Sequence, residues 1–476
     1  MRTFHLSDTA FTELAAGRPA PETLAELRKA QESRHLLLLS EIRRLGDRVP
    51  AWYAAPPTGP TAAALADPMA ALHSAATLAA LRGGTPPPPG WTAGTRHLTA
   101  THDGLTLRVR LEDTDPLRSR LGLTPFRQLT GAEAAEWQSH LTRAWHLLVT
   151  RHRPAAATMA AVLSVIVPVE PQPSAAGISA TAVDAYGAVA ISPPADARAL
   201  AVGLLHETQH SLLNATQFLF DLVDSPVPLG YSPWRDDPRP PSGILHGAYA
   251  YQAVTRFWRT EAAAGDPESR VAAFEFARWR AAVVSAADGL LSGTALTAAG
   301  RRFTGALRDE VAAWLADAVE PGIERLAAGA NHDHRARWRL ANLTVAPADV
   351  EAVVRAWRAG QPAPFVPAAV VGAEPGRRLE RSRRLGLVHA LLRGDPGLSP
   401  GSRVRPGDAA YLGARPGTAF DAYRQELSTQ SDPELWAGLS LTSPDAALQA
   451  RPELVRAVYL ALHGDVDVSQ LAVWLG

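Results

Sequence analysis

Not one of the 476 residues is a cysteine. A chain of this length can bury a sizeable core at roughly 150 residues per domain, but it must hold its fold without disulfides. Thiolate metal sites, iron–sulfur clusters and a cysteine nucleophile are excluded, so a metal here must be held by His, Asp or Glu. Lys29 is the only lysine, which removes a P-loop lysine and leaves no other Schiff-base residue. Lys+Arg (47) balance Asp+Glu (47), whereas a nucleic-acid binder would carry a basic surplus, so no nucleic-acid partner is expected. No window approaches the ~18 uninterrupted apolar residues of a membrane span. Met1 to Ala20 shows no basic segment followed by an apolar run, so no secretion signal is expected. The expectation is a cytoplasmic protein that makes no membrane contact.

The pattern along the chain is mostly helical. Residues 8–46 read as helix, with Leu24, Leu27, Leu36, Leu37 and Leu38 as apolar positions and Pro50 closing the segment. An alanine-rich helix follows over about 60–82. His97 to Leu111 alternates around Asp103-Gly104, a hairpin signal. Thr130 caps a helix over about 131–152. Met159 to Val169 is a continuous apolar run suited to a buried strand, and Ile178–Val183 and Ala188–Ser192 predict two more. Pro193-Pro194 ends the sheet. A helix then runs from Ala195 to about Val223, and after the turn-rich loop Asp224–Ser242 another covers about Gly243 to Ala264. The remainder reads as helical, broken chiefly at 361–376, and the run Arg377 to Arg384 reads as a solvated face. The predicted class is α+β, predominantly α-helical, with a small central β-sheet packed on the helix after it and a helical C-terminal part. Three regions are expected: 1–150, mostly helical with a β-hairpin; 151–369, a metal-binding catalytic domain; and 370–476, a helical subdomain.

The helix after the sheet carries Leu204-Leu205-His206-Glu207-Thr208-Gln209-His210. Histidines at i and i+4 share a helical face, so His206 and His210 can point at one metal ion, and Glu207 can reach a metal-bound water or brace a ligand. The alternative is two histidines on a solvated face. A third ligand must come from elsewhere. His246, 36 residues beyond His210, is the first candidate: the loop lets the chain reverse, and Gly243 and Gly247 leave room for close approach. Glu261 is the competing choice, giving two histidines and one acid. A packed, hydrogen-bonded histidine is the plain reading of His246. Between these helices lies the proline-braced loop Tyr231-Ser-Pro-Trp-Arg235-Asp236-Asp237-Pro-Arg239-Pro. Arginine grips a carboxylate in bidentate fashion, so Arg235 or Arg239 can hold an anionic co-substrate, or each can pair with a neighbouring acid to stiffen the turn. The cluster Asn331-His332-Asp333-His334-Arg335 reads as a polar edge before an amphipathic helix.

With these residues the chain resembles the actinobacterial HEXXH-motif proteins encoded with ribosomally made, modified peptides, some fused to radical-SAM maturases. The matching elements are LLHETQH (204–210), YSPWRDDPRP (231–240), GILHGAYAY (243–251) and Phe257-Trp258, then HRARWRL (334–340), GDAAYLGA (407–414), Trp436-Ala-Gly-Leu439 and RPELVRAVY (451–459). The resemblance covers roughly 150–476 and is specific over 200–260. It implies an iron(II)- and 2-oxoglutarate-dependent oxygenase that hydroxylates a side-chain β-carbon of a precursor peptide, with a radical-SAM maturase as a possible partner. Carried over, His206, His210 and His246 would ligate iron, and Arg235 or Arg239 would bind the far carboxylate of 2-oxoglutarate. Such chemistry needs no general base, so Glu207 would orient a ligand or water.

The motif alone favours a zinc peptidase in which Glu207 deprotonates a zinc-bound water, with strand 188–192 receiving an extended substrate. A third reading is a metal-stabilised scaffold that binds a leader peptide or maturase through the aromatic helix bearing Tyr249, Tyr251, Phe257 and Trp258.

Overall fold

The structure, a computed structural model, describes residues 4–45, 62–172, 177–226, 228–372, 382–395, 404–427 and 432–476. The fold is α+β and predominantly α-helical, with one mixed five-stranded sheet. Its contacts fall into two compact units. One comprises Met1–Asp224, Ala248–Thr260 and Leu296–Glu310; the other comprises Ser225–Gly247, Glu261–Ala295 and Val311–Gly476.

The first unit contains the sheet: β1 (His97–His102), β2 (Leu105–Leu111), β3 (Val165–Pro168), β4 (Ser179–Ala180) and β5 (Ala188–Ile191). Its order is β1-β2-β3-β5-β4, antiparallel at both ends and parallel at β2–β3 and β3–β5. The β1–β2 turn needs two residues with positive φ, and Asp103 (φ 42) and Gly104 (φ 74) supply them. Every residue of β3 and β5 is buried. The motif helix, Ala197–Leu219, is capped by Asp196, whose carboxylate accepts from the Ala199 N–H at 2.7 Å. It lies tight on β5, because a Cβ at Gly203 would stand 2.9 Å from Ile191 Cδ1. The predicted packing of the sheet on this helix is therefore present.

Several elements differ from expectation. The helix expected over 8–46 is two helices, Asp8–Ala15 and Pro21–Leu45, parted where Gly17 takes φ +68. Pro50 lies outside the described residues. The alanine-rich helix over 60–82 is broken at Asp67, which caps the second piece, Pro68–Arg82. The first residues of the apolar run 159–169 close the helix Arg153–Val162, and the strand begins at Val165. Alanine-rich sequence entered from a proline at the first turn suits helix better than strand. β5 is paired on both sides, so strand 188–192 cannot receive an added substrate strand.

The second unit is helical. Its core gathers Phe274, Leu326, Tyr423, Trp436 and Val455 from helices Ser269–Ser292, Pro321–Asn342, Pro416–Leu427, Pro433–Thr442 and Pro452–Ala461. The cluster 331–335 is no polar edge. It lies inside Pro321–Asn342, with Asp333 and His334 buried. Asp333 faces two arginines, Arg337 and Arg384, and Arg384 also pairs with Asp408. Arg384 is thus buried, not part of a solvated face; 377–381 of that run lie outside the described residues. Among the described residues, no helix is long and apolar enough to cross a membrane.

Candidate metal centre

On the motif helix, i, i+4 spacing brings the two histidine rings to 4.6 Å between centroids, edge to face. Their Nε2 atoms stand 2.9 Å apart. Two nitrogens bonded to one ion at about 2.1 Å are separated by roughly 3.0 Å at a right angle and roughly 3.4 Å at the tetrahedral angle. The separation fits two ligands of one ion as well as an Nε2–H···Nε2 hydrogen bond between the rings. Among the described residues, His206, Glu207 and His210 form a group in which one ligand atom from each lies within 4.8 Å of the others. Burial lowers the proton affinity of His206, outweighing the opposing charge of Glu207. The neutral imidazole is the form that ligates a metal. The Tyr251 ring packs edge-on against His206 with centroids 5.3 Å apart.

Glu207 is 1% exposed and its carboxylate is held at both oxygens. Ser179 Oγ donates to Oε1 at 2.6 Å, and Thr181 Oγ1 donates to Oε2. Both hydroxyls come from β4 and the residue just beyond it, one on each side of Ala180. Alternation along an extended chain turns Ser179 and Thr181 to the same face. A carboxylate has room for about four hydrogen bonds, so Glu207 can still meet a further donor, but its position is fixed by the two hydroxyls. Sequence reasoning placed 178–183 in a strand and gave Ser179 and Thr181 no role. Their shared face was the available signal.

The remaining predicted residues belong to the second unit. Arg235 and Arg239 converge on Asp237, which is fully buried: Arg235 reaches Oδ1 at 2.8 Å and Arg239 reaches Oδ2 at 3.4 Å. Arg239 is the more exposed of the two arginines, at 32% against 15%. His246, on the helix Pro241–Ala262, is pushed down to about 4 by burial and then by the charge of Arg239. It too is a neutral imidazole near neutral pH. Glu261, the alternative ligand, is 1% exposed. The loop is pinned at its start by Tyr231 Oη against His334 Nδ1 at 2.8 Å, and at Asp236, whose carbonyl accepts from Asn342 Nδ2 at 2.9 Å.

No protein-family model matches the chain, and no curated protein matches it.

Proposed function

We propose that this protein is an iron(II)- and 2-oxoglutarate-dependent oxygenase that hydroxylates a side-chain β-carbon of a ribosomally made precursor peptide in the cytoplasm. The observation that carries the reading is the clamp on Glu207. A peptidase needs that carboxylate as a proton acceptor, yet two hydroxyl donors hold both of its oxygens. An oxygenase asks of it only that it brace its surroundings. The donor set suits the metal, since imidazole ligates iron as well as zinc. When bound, iron with 2-oxoglutarate supplies dioxygen activation: one oxygen atom enters the peptide C–H bond, and the other leaves in succinate as carbon dioxide is released.

The chain's own residues have simpler tasks. His206 and His210 present neutral nitrogens. The proposed third ligand is His246, with Glu261 as its alternative. Arg239, or Arg235, binds the far carboxylate of 2-oxoglutarate, and the partial exposure of Arg239 favours it for that role. A radical-SAM maturase acting on the same peptide is the proposed partner.

The test uses protein purified without oxygen, loaded with iron(II) or zinc(II), and given 2-oxoglutarate, oxygen and the precursor peptide. The expected result is a peptide heavier by one oxygen atom together with succinate, with iron alone. Peptide fragments under zinc would replace the proposal with a peptidase, and an unaltered peptide under both metals would remove it. In Glu207→Gln, metal affinity should fall about 10–100-fold while hydroxylation at saturating iron persists. In His246→Ala, unchanged metal content would transfer the third position to Glu261 or elsewhere.

A further inference from the structure

We propose that β4, which among the described residues pairs with β5 alone, is where the substrate peptide docks as an added strand, and that Ser179 and Thr181 couple this docking to Glu207. The inference rests on the reading of the protein as a peptide-modifying enzyme and adds how the peptide is held.

The two edges of the sheet are treated differently. At β1, the side-chain amide of Gln138 accepts from the Thr99 N–H at 3.0 Å and donates to the Thr99 carbonyl at 2.8 Å. That pair of bonds imitates a neighbouring strand and closes the edge. At the opposite end, β4 pairs with β5 alone among the described residues. The Ile178 N–H and carbonyl both turn inward, to Ser192 Oγ at 3.1 Å and the Ser192 N–H at 2.9 Å. Backbone groups alternate along a strand, so those of Ser179 point outward. An N–H and carbonyl directed off a sheet edge can pair with an extended backbone, and no side-chain amide meets those of Ser179 among the described residues as Gln138 meets those of Thr99.

The side chains give this edge its meaning. While its backbone faces outward, Ser179 reaches Glu207 through its hydroxyl, as Thr181 does. A peptide paired with β4 would fix the backbone that carries both clamps. Every second side chain of that peptide would share the sheet face of Ser179 and Thr181, the face on which Glu207 lies. Just beyond, Val183 is 57% exposed, and Asp184 pairs with Arg34, whose guanidinium covers Phe218. This ground is apolar with its charges already paired, which suits uncharged side chains. A second copy of the chain is the poorer occupant, because a strand this short falls far below the ~1,200 Å² of a stable interface.

The experiment selects a peptide from a random display library against the full-length protein without metal. The peptide is then resynthesised with N-methyl groups on either its odd or its even amides. Strand addition predicts that one pattern loses binding by about tenfold or more while the other stays within about twofold. Equal behaviour of the two patterns, or a selection without a binder, overturns the proposal. Ser179→Pro removes the outward N–H and should not bind the peptide. Coupling predicts that the bound peptide tightens zinc(II) in a calorimetric titration, by the same factor that zinc tightens the peptide; no change refutes that part. A dimer abolished by Ser179→Pro would give the edge to a second copy instead. Peptide binding that survives while no oxygen is incorporated would retain the docking edge and remove the oxygenase.

Discussion

At Gly247 an added methyl carbon would stand 2.0 Å from the indole nitrogen of Trp234. In the sequence this glycine reads as space beside His246; in the structure that space is filled by the tryptophan of the preceding loop. Gly247→Ala must therefore push loop and helix apart, and we expect it to cost about 1–3 kcal/mol or more. An unchanged denaturation midpoint would show that Trp234 simply swings aside. The histidine pair was legible because i, i+4 geometry belongs to any helix. Ser179 and Thr181 were not, since their shared face does not say that it meets a helix 26 or 28 residues on. Arg384 was misread for the same reason. Among arginines in a charged run, its burial depends on Asp333 and Asp408, 51 and 24 residues away.

Elements were most legible where their signals lie at their own ends. Thr130 accepts from the Glu133 N–H, while the Glu133 carboxylate accepts from the Thr130 N–H at 2.8 Å, a reciprocal cap on the helix Gly131–Arg151. Thr130→Ala should lower stability by about 1 kcal/mol, read by chemical denaturation. A loss well below that would mean that packing alone holds the helix start, since Trp137, Leu141 and Trp145 are buried on its inner face. The hairpin about Asp103-Gly104 was equally plain, because its turn demands positive φ twice. The strand at 159–169 was half wrong, since a short apolar run suits a buried helix end as well as a buried strand. Which strand forms the open edge was beyond reach. β5 is apolar throughout and β4 carries Ser179, but which strand each lies beside is set by the fold and not by its own residues.

Across the described residues, burial holds His35, His206, His246 and His332 below their ordinary proton affinity. A histidine with a lowered folded-state value binds fewer protons folded than unfolded, so acid favours unfolding. This stability is complete above about pH 6.5 and is lost as pH falls toward about 4, the value for His246. Buried carboxylates such as Asp333, depressed by Arg384 and Arg337 against the effect of burial, weaken the fold only at lower pH. Denaturation midpoints of the metal-free protein should therefore decline between pH 6.5 and 4. A flat profile through that range would show that these imidazoles protonate in place.

What the sequence determined by itself was the helical character, the small sheet, the capped ends and the spacing of His206 and His210. Those follow from side-chain periods and from contacts within a few residues along the chain, where each residue's neighbours are already known. The tertiary structure alone decided that Glu207 is clamped from the sheet, that one sheet edge is closed by Gln138, and that Tyr231 meets His334 across 103 residues. Such pairings require chain closures whose cost the whole core offsets, so they are properties of the assembled fold and not of any segment.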